Sequence, residues 1–324
     1  MTTIRPSAPA MRVIKPAARA ATPASRPAAR VASAIPTTTL GDARAFTAPD
    51  GIKVAFRVTE AKTKDPDAVV VHVPGLGCNS HYMDEMGKQL SSENLKVYAI
   101  DNRGHGLTEG PKADVQSYKQ WVADVDRLVK IAKQENPGKK IVVTGSSMGG
   151  LIALRYAQSH QQDIAGVASM SPVFLNKFFK PRHYLQLAGA VVSRLWDKNA
   201  LDKKLDTPMN LDVPLTTNPE AVKMSEADPH LHKQVTARLY LNVLGMTFRN
   251  FLGATRQKLP TLVATAGKDE VNVNFVVKAF QKIQGGFKNE GKTFKNYPEA
   301  GHDMPQEWHR PEIARDLAAF VKAR

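Results

Sequence analysis

Ile141-Val142-Val143-Thr144-Gly145-Ser146-Ser147-Met148-Gly149-Gly150-Leu151-Ile152-Ala153-Leu154 is the stretch from which this chain is best read. The apolar run Ile141 to Val143 has the composition of a buried strand, and Leu151 to Leu154 that of a helix. Between them the glycines predict a sharp turn with a serine at its apex. A serine attacks a carbonyl only if its hydroxyl projects from such a turn, and small neighbours let the strained backbone close. Gly145 and Gly149 supply that smallness for Ser147; shifting the reading to Ser146 loses both.

Outward from this turn, short apolar runs alternate with helical patterns. Val69 to Val73, Val97 to Ile100, Val167 to Met170 and Leu262 to Ala264 are near-continuous, as strands covered on both faces require. Arg44 to Thr47 and Val54 to Val58 flank Pro49-Asp50-Gly51, a hairpin signal. Trp121, Val125, Leu128, Val129 and Ala132 recur at helical spacing, as do Ile313, Leu317, Phe320 and Val321. Alternation of this kind predicts an α/β fold: a mostly parallel sheet of about eight strands flanked by helices. Residues 173–255 break the rhythm with an amphipathic helical pattern rich in aromatics. They are expected to form a cap above the carboxyl ends of the strands, where such folds place ligands. Phe174 and Phe178 in this segment are candidates for an apolar acyl pocket.

Composition sets the boundaries. The chain has 324 residues and a formal net charge of +15. Six basic residues (Arg5, Arg12, Lys15, Arg19, Arg26, Arg30) lie in the first 41 positions, where no acid occurs. That stretch, interrupted by six prolines, is expected to be a disordered tail preceding one domain over 42–324. No nucleic-acid-binding motif accompanies the remaining excess, so a solvated basic surface is the reading and no nucleic-acid partner is expected. Cys78 is the only cysteine, so no intrachain disulfide can form. No ligand spacing suggests a metal, and no apolar run approaches the roughly 20 residues of a membrane span. A soluble, cytoplasmic protein is expected, or an organellar one if the Arg-rich tail is a transit peptide.

A nucleophilic serine needs a base, the base needs a carboxylate, and the developing oxyanion needs donors. In chains with this type of turn the acid and then the histidine follow the serine. Asp269, in Ala266-Gly267-Lys268-Asp269-Glu270, follows a strand-like run and is the candidate acid, although the same position also suits a helix N-cap; Glu270 is the fallback. His302, in Glu299-Ala300-Gly301-His302-Asp303, is the candidate base, with His309 assigned to packing or the surface. The oxyanion donors are expected to be the N–H groups of Met148 and of Leu76, the latter in Pro74-Gly75-Leu76-Gly77, where Gly75 permits close approach of the substrate. Asp101-Asn102-Arg103-Gly104-His105-Gly106 has too few ligands for a metal site and reads as a turn held by its own side chains.

Taken together, these residues resemble the α/β-hydrolases, and within them the monoglyceride lipase and lysophospholipase (serine aminopeptidase-type) group. Asp101 to Gly106 is similar to that group's D-x-R-G-H-G turn and Gly145 to Gly150 to its G-H-S-M-G-G elbow. Asn218-Pro219-Glu220 through Asp228-Pro229 resembles a segment of its cap. The chain departs from the group at Pro74, where His is usual, at Cys78-Asn79, where Glu-His is usual, and at Ser146, where His precedes the nucleophile. The resemblance implies a cofactor-independent serine hydrolase of acyl esters, of monoacylglycerol or lysophospholipid type, with Ser147, Asp269 and His302 as its triad and transient contact with a membrane surface. Acyltransferase, thioesterase, aminopeptidase-like and non-catalytic binding roles on the same scaffold stand as alternatives.

Overall fold

The computed structural model describes residues 35–177, 181–206, 213, 215–286 and 291–324. Its frame is a nine-stranded sheet. In chain order the strands are β1 (Thr37–Leu40), β2 (Ala43–Thr47), β3 (Lys53–Thr59), β4 (Ala68–Val73), β5 (Leu95–Ile100), β6 (Ile141–Ser146) and β7 (Gly166–Met170), then β10 (Thr261–Ala266) and β11 (Lys292–Tyr297). They lie in the order β1-β2-β3-β5-β4-β6-β7-β10-β11. The first three are joined antiparallel, and β3 runs antiparallel to β5. From β5 to β11 every neighbour is parallel. The chain leaves β4 for β5 on one side and returns to β6 on the other, so the strand order reverses beside β4. A crevice opens at such a reversal, outside the carboxyl ends of the strands.

Helices cover both faces of the sheet. Along β4 the apolar residues alternate: Val69, Val71 and Val73 join one buried cluster and Val70 the other. The first cluster is closed by α2 (Tyr118–Glu135) and α3 (Met148–Ser159), and the second by α1 (Asp84–Ser92) and α8 (Arg310–Lys322). Local chemistry sets the helix ends. The Ser117 side chain accepts from the Lys119 N–H, and Gln120 reaches back to the Ser117 N–H. Of the remaining helices, α4 (Pro181–Ser193) and α5 (Pro219–Ala227) lie in the inserted region, followed by α6 (Ala237–Gly253) and α7 (Asn274–Ile283). The insertion also holds a two-stranded antiparallel pair, β8 (Lys204–Asp206) and β9 (Gln234–Thr236).

Two expectations need correction. Residues 37–40, assigned above to the tail, form β1, because Thr37 to Thr39 favour extended backbone and Gly41, at φ +60, opens the two-residue turn to β2. This edge strand brings the sheet to nine, in keeping with the expected number of about eight; residues 1–34 lie outside the described residues. The expected cap of 173–255 is also too long. Its last helix, α6, returns to the body, burying Leu239, Val243 and Met246 in the cluster shared with α2 and α3. Asn250 donates to the Leu151 carbonyl at 2.9 Å and fixes α6 to α3. An apolar stripe gives a helix a buried face without saying which neighbour that face meets.

Candidate active site

Ser147 sits at the turn between β6 and α3 with φ 56° and ψ −121°, a conformation that costs a non-glycine residue energy and is held by its surroundings. The glycines explain how the turn closes. A methyl at Gly145 would overlap the Gly149 carbonyl, and one at Gly149 would overlap the carbonyl oxygens of Val73 and Pro74 at the end of β4. The Ser147 N–H donates to the Met170 carbonyl of β7 at 2.9 Å, fixing the turn to the sheet.

His302 and Asp269 arrive from the loops after β11 and β10. These loops are laced together, with the Gly267 N–H on the Tyr297 carbonyl at 2.8 Å and the Lys268 N–H on the Ala300 carbonyl at 2.9 Å. His302 Nε2 lies 2.9 Å from Ser147 Oγ, and its Nδ1 lies 2.9 Å and 3.0 Å from the two Asp269 oxygens. The pattern fits an Nδ1–H that donates to the carboxylate and an Nε2 that accepts from the serine hydroxyl. Asp269 Oδ1 also accepts from the N–H groups of Val271 and Asn272 at 2.9 Å and 2.8 Å. The helix N-cap considered for this position is not formed, because α7 starts only at Asn274 with Val273 as its cap; the two backbone donors close a local turn that fixes the carboxylate. Burial works to raise the Asp269 pKa, but the charge and hydrogen bond of His302 and the two backbone donors bring it below the ordinary carboxylate value. Burial likewise works to lower the pKa of His302, yet the charge and hydrogen bond of Asp269 leave it raised. Glu270 is exposed, and His309 stands at the start of α8.

Gly75 packs against the Ser147 side chain, and Leu76 follows it on the same wall. Met148 is the first residue of α3, so its N–H has no intrahelical acceptor. The loop after β4 is held by side chains of the Asp101 turn and of the loop itself. Asn102 Nδ2 donates to the Pro74 carbonyl at 3.0 Å, and Asp101 Oδ1 accepts from the Ser80 N–H at 2.7 Å. Asn79 donates to Asp228 at 2.7 Å and so ties the loop to the end of α5. The Asp101-to-Gly106 turn is thus itself anchored while it supports the site. Arg103 pairs with Asp124 of α2 at 2.6 Å and with Asp50 at 2.5 Å.

A narrow pocket with about 60 Å³ of free interior opens over Ser147. Its apolar walls include Leu76, Met148, Val173, Leu215, Tyr240, Val243 and Val271, and Ser147 and His302 stand within it. Phe174 is not among the lining residues, contrary to expectation. Its ring packs on Phe280 at 4.4 Å and Phe251 at 5.0 Å between centroids, because an apolar ring beside a body helix gains more from that cluster than from a mouth open to water. Phe178, the other aromatic candidate, lies outside the described residues. Pro74, Cys78 and Ser146, all departures from the family pattern, line the pocket, and so do Tyr82 and Asp303, for which the sequence reading gave no role. Of the last two, Asp303 has a signal in the sequence, its place beside His302.

Residues 64–308 match the Hydrolase_4 family, described as serine aminopeptidase, S33. A monoacylglycerol lipase of Mycolicibacterium smegmatis is 24% identical over 278 residues, covering 85% of this chain and 95% of its own. The human monoglyceride lipase is 26% identical over 258 residues, covering 79% and 81%. In structure, the monoacylglycerol lipase of Paleococcus ferrophilus superposes with a TM-score of 0.70 at 24% identity, over 83% of this chain and 98% of that one. The chain belongs to the serine aminopeptidase S33 family, has the α/β-hydrolase fold, and is a carboxylester hydrolase similar to the monoglyceride lipases.

Proposed function

We propose that the chain hydrolyses acyl monoesters of the monoacylglycerol type through an acyl-enzyme formed on Ser147. The observation that carries this reading is the unbroken series of contacts at 2.9 Å from Asp269 to His302 to Ser147 beneath an apolar pocket. Ser147 Oγ attacks the ester carbonyl while His302 Nε2 takes its proton, and Asp269 stabilises the imidazolium. The Leu76 and Met148 N–H groups receive the oxyanion. Collapse breaks the bond to the alcohol oxygen, which takes the proton from His302. A water then repeats the sequence on the acyl-enzyme and frees the acid and Ser147. The test is hydrolysis of p-nitrophenyl esters from C2 to C16 and of a monoacylglycerol. Ser147→Ala should lower kcat by roughly 10⁴-fold or more; a variant that keeps wild-type activity overturns the reading.

Contact with a lipid surface is part of the same proposal. The α4 segment buries Leu187 and Ala190 yet leaves Leu185, Val191 and Val192 exposed, continuing into Leu195 at 83% and Trp196 at 71% exposure, beside Arg194 and Lys198. Apolar side chains flanked by cations suit an interface with anionic headgroups. Replacing Leu195 and Trp196 by serine should lower the rate on monoacylglycerol in anionic vesicles several-fold and spare the rate on a soluble C4 ester. Equal rates on vesicles would remove the surface from the account.

A further inference from the structure

One wall of the pocket does not match the rest. Asp303 follows His302 directly, its backbone held by an N–H donated to the Leu215 carbonyl at 2.7 Å and by the Gln306 N–H on its own carbonyl at 2.9 Å. Its carboxyl has no hydrogen bond or ion pair with any described residue, although burial pushes its pKa up to about 7 against the opposing pull of His302. Tyr82, 4% exposed, lines the same pocket within the electrostatic reach of Asp303; its hydroxyl lies beside Ser225 without closing a hydrogen bond of good geometry. No Lys or Arg is among the lining residues. Asp303 is half-buried and Tyr82 buried, and polar groups so placed in an otherwise apolar pocket are rarely retained without a partner.

The chemistry says which part of a substrate reaches them. In acylation His302 Nε2 gives its proton to the departing alcohol oxygen, so the alcohol lies on the His302 side of Ser147. The acyl chain has Val173, Tyr240, Val243 and Val271 to lie along. We propose that Asp303 and the Tyr82 hydroxyl form the leaving-group subsite, which selects neutral alcohols carrying a further hydroxyl and rejects anionic ones. The carboxyl accepts the free hydroxyl of a glycerol-like alcohol, Tyr82 offers a second donor or acceptor, and a phosphate on the alcohol meets a negative group with no cation to offset it. This inference rests on the ester-hydrolase reading above.

The test holds the acyl group constant and varies the alcohol, using glyceryl monobutyrate, propyl butyrate and 1-butyrylglycerol 3-phosphate. Because kcat/KM covers steps through acylation, its ratio between esters reports on the alcohol alone. The wild type should favour glyceryl over propyl butyrate by about tenfold, the value of one hydrogen bond to a charged group. Asp303→Leu should bring that ratio towards one. Asp303→Asn, nearly isosteric and still an acceptor, should give an intermediate ratio and covers the case in which the leucine variant does not fold. Both variants should improve the phosphorylated ester relative to propyl butyrate. A purely structural role would scale all three rates together, and a ratio unchanged in either variant overturns the subsite. A wild type that cleaves none of these esters nor p-nitrophenyl butyrate overturns the hydrolase reading and the subsite with it.

Discussion

Gly149 shows how little room the site leaves at single residues. A Cβ there would overlap two carbonyl oxygens at the end of β4, and the backbone that follows these oxygens is Gly75-Leu76. The strain would therefore pass directly into the loop expected to hold the oxyanion. Gly149→Ala should cost about 10²-fold in kcat on p-nitrophenyl butyrate, since a displacement near 1 Å in such a site has that effect. An unchanged kcat would show that the loop moves independently of the elbow. This part was legible in the sequence, because a glycine pattern states directly where side chains cannot fit. The Asn102 hydrogen bond to the Pro74 carbonyl was not legible. The two residues are 28 apart in sequence and meet only because β4 and β5 are neighbours in the sheet.

Elements are joined at the site by few, buried ties. The Arg103 guanidinium connects the turn after β5 with Asp124 of α2 and Asp50 of the β2–β3 hairpin. Its side chain is 10% exposed and that of Asp124 3%, so removing the cation would leave a buried carboxylate unpaired. Arg103→Ala should lower the unfolding free energy by about 3–5 kcal/mol in urea titration. Arg103→Lys should recover only part of this, because a lysine cannot reproduce the two-pronged geometry. Loss of less than 1 kcal/mol would mean that the turn is held by its backbone alone. Element types were legible from periodicity, including α2, α3 and α8. The destination of α6 was not, since Leu239, Val243 and Met246 would give the same stripe whether it crowned the strands or lay along the body.

Across the whole molecule, burial of titratable groups sets the response to acid. His72 of β4 is buried, within 2.9 Å of Thr144 Oγ1 on β6, and burial lowers its pKa to about 3. For His105 burial gives about 4, the Arg103 carbonyl opposing it. Both remain neutral in the folded chain while the unfolded chain binds protons below about pH 6.5, so stability falls as pH drops from there towards their folded values. For His72 alone the loss is on the order of 4 kcal/mol over that window. His72→Gln should flatten unfolding free energy against pH between 6.5 and 4; an unaltered slope would assign acid sensitivity to other groups. The sequence by itself determined the order of strands and helices, the elbow and the residue types of Ser147, Asp269 and His302, because these depend on local spacing and on the small size of glycine. Only the tertiary structure decided which polar groups stand unpaired in the pocket, that Phe174 belongs to the core, and that α6 belongs to the body. Those outcomes depend on which distant surfaces meet, and a side chain's partner across the sheet leaves no periodic trace in the chain.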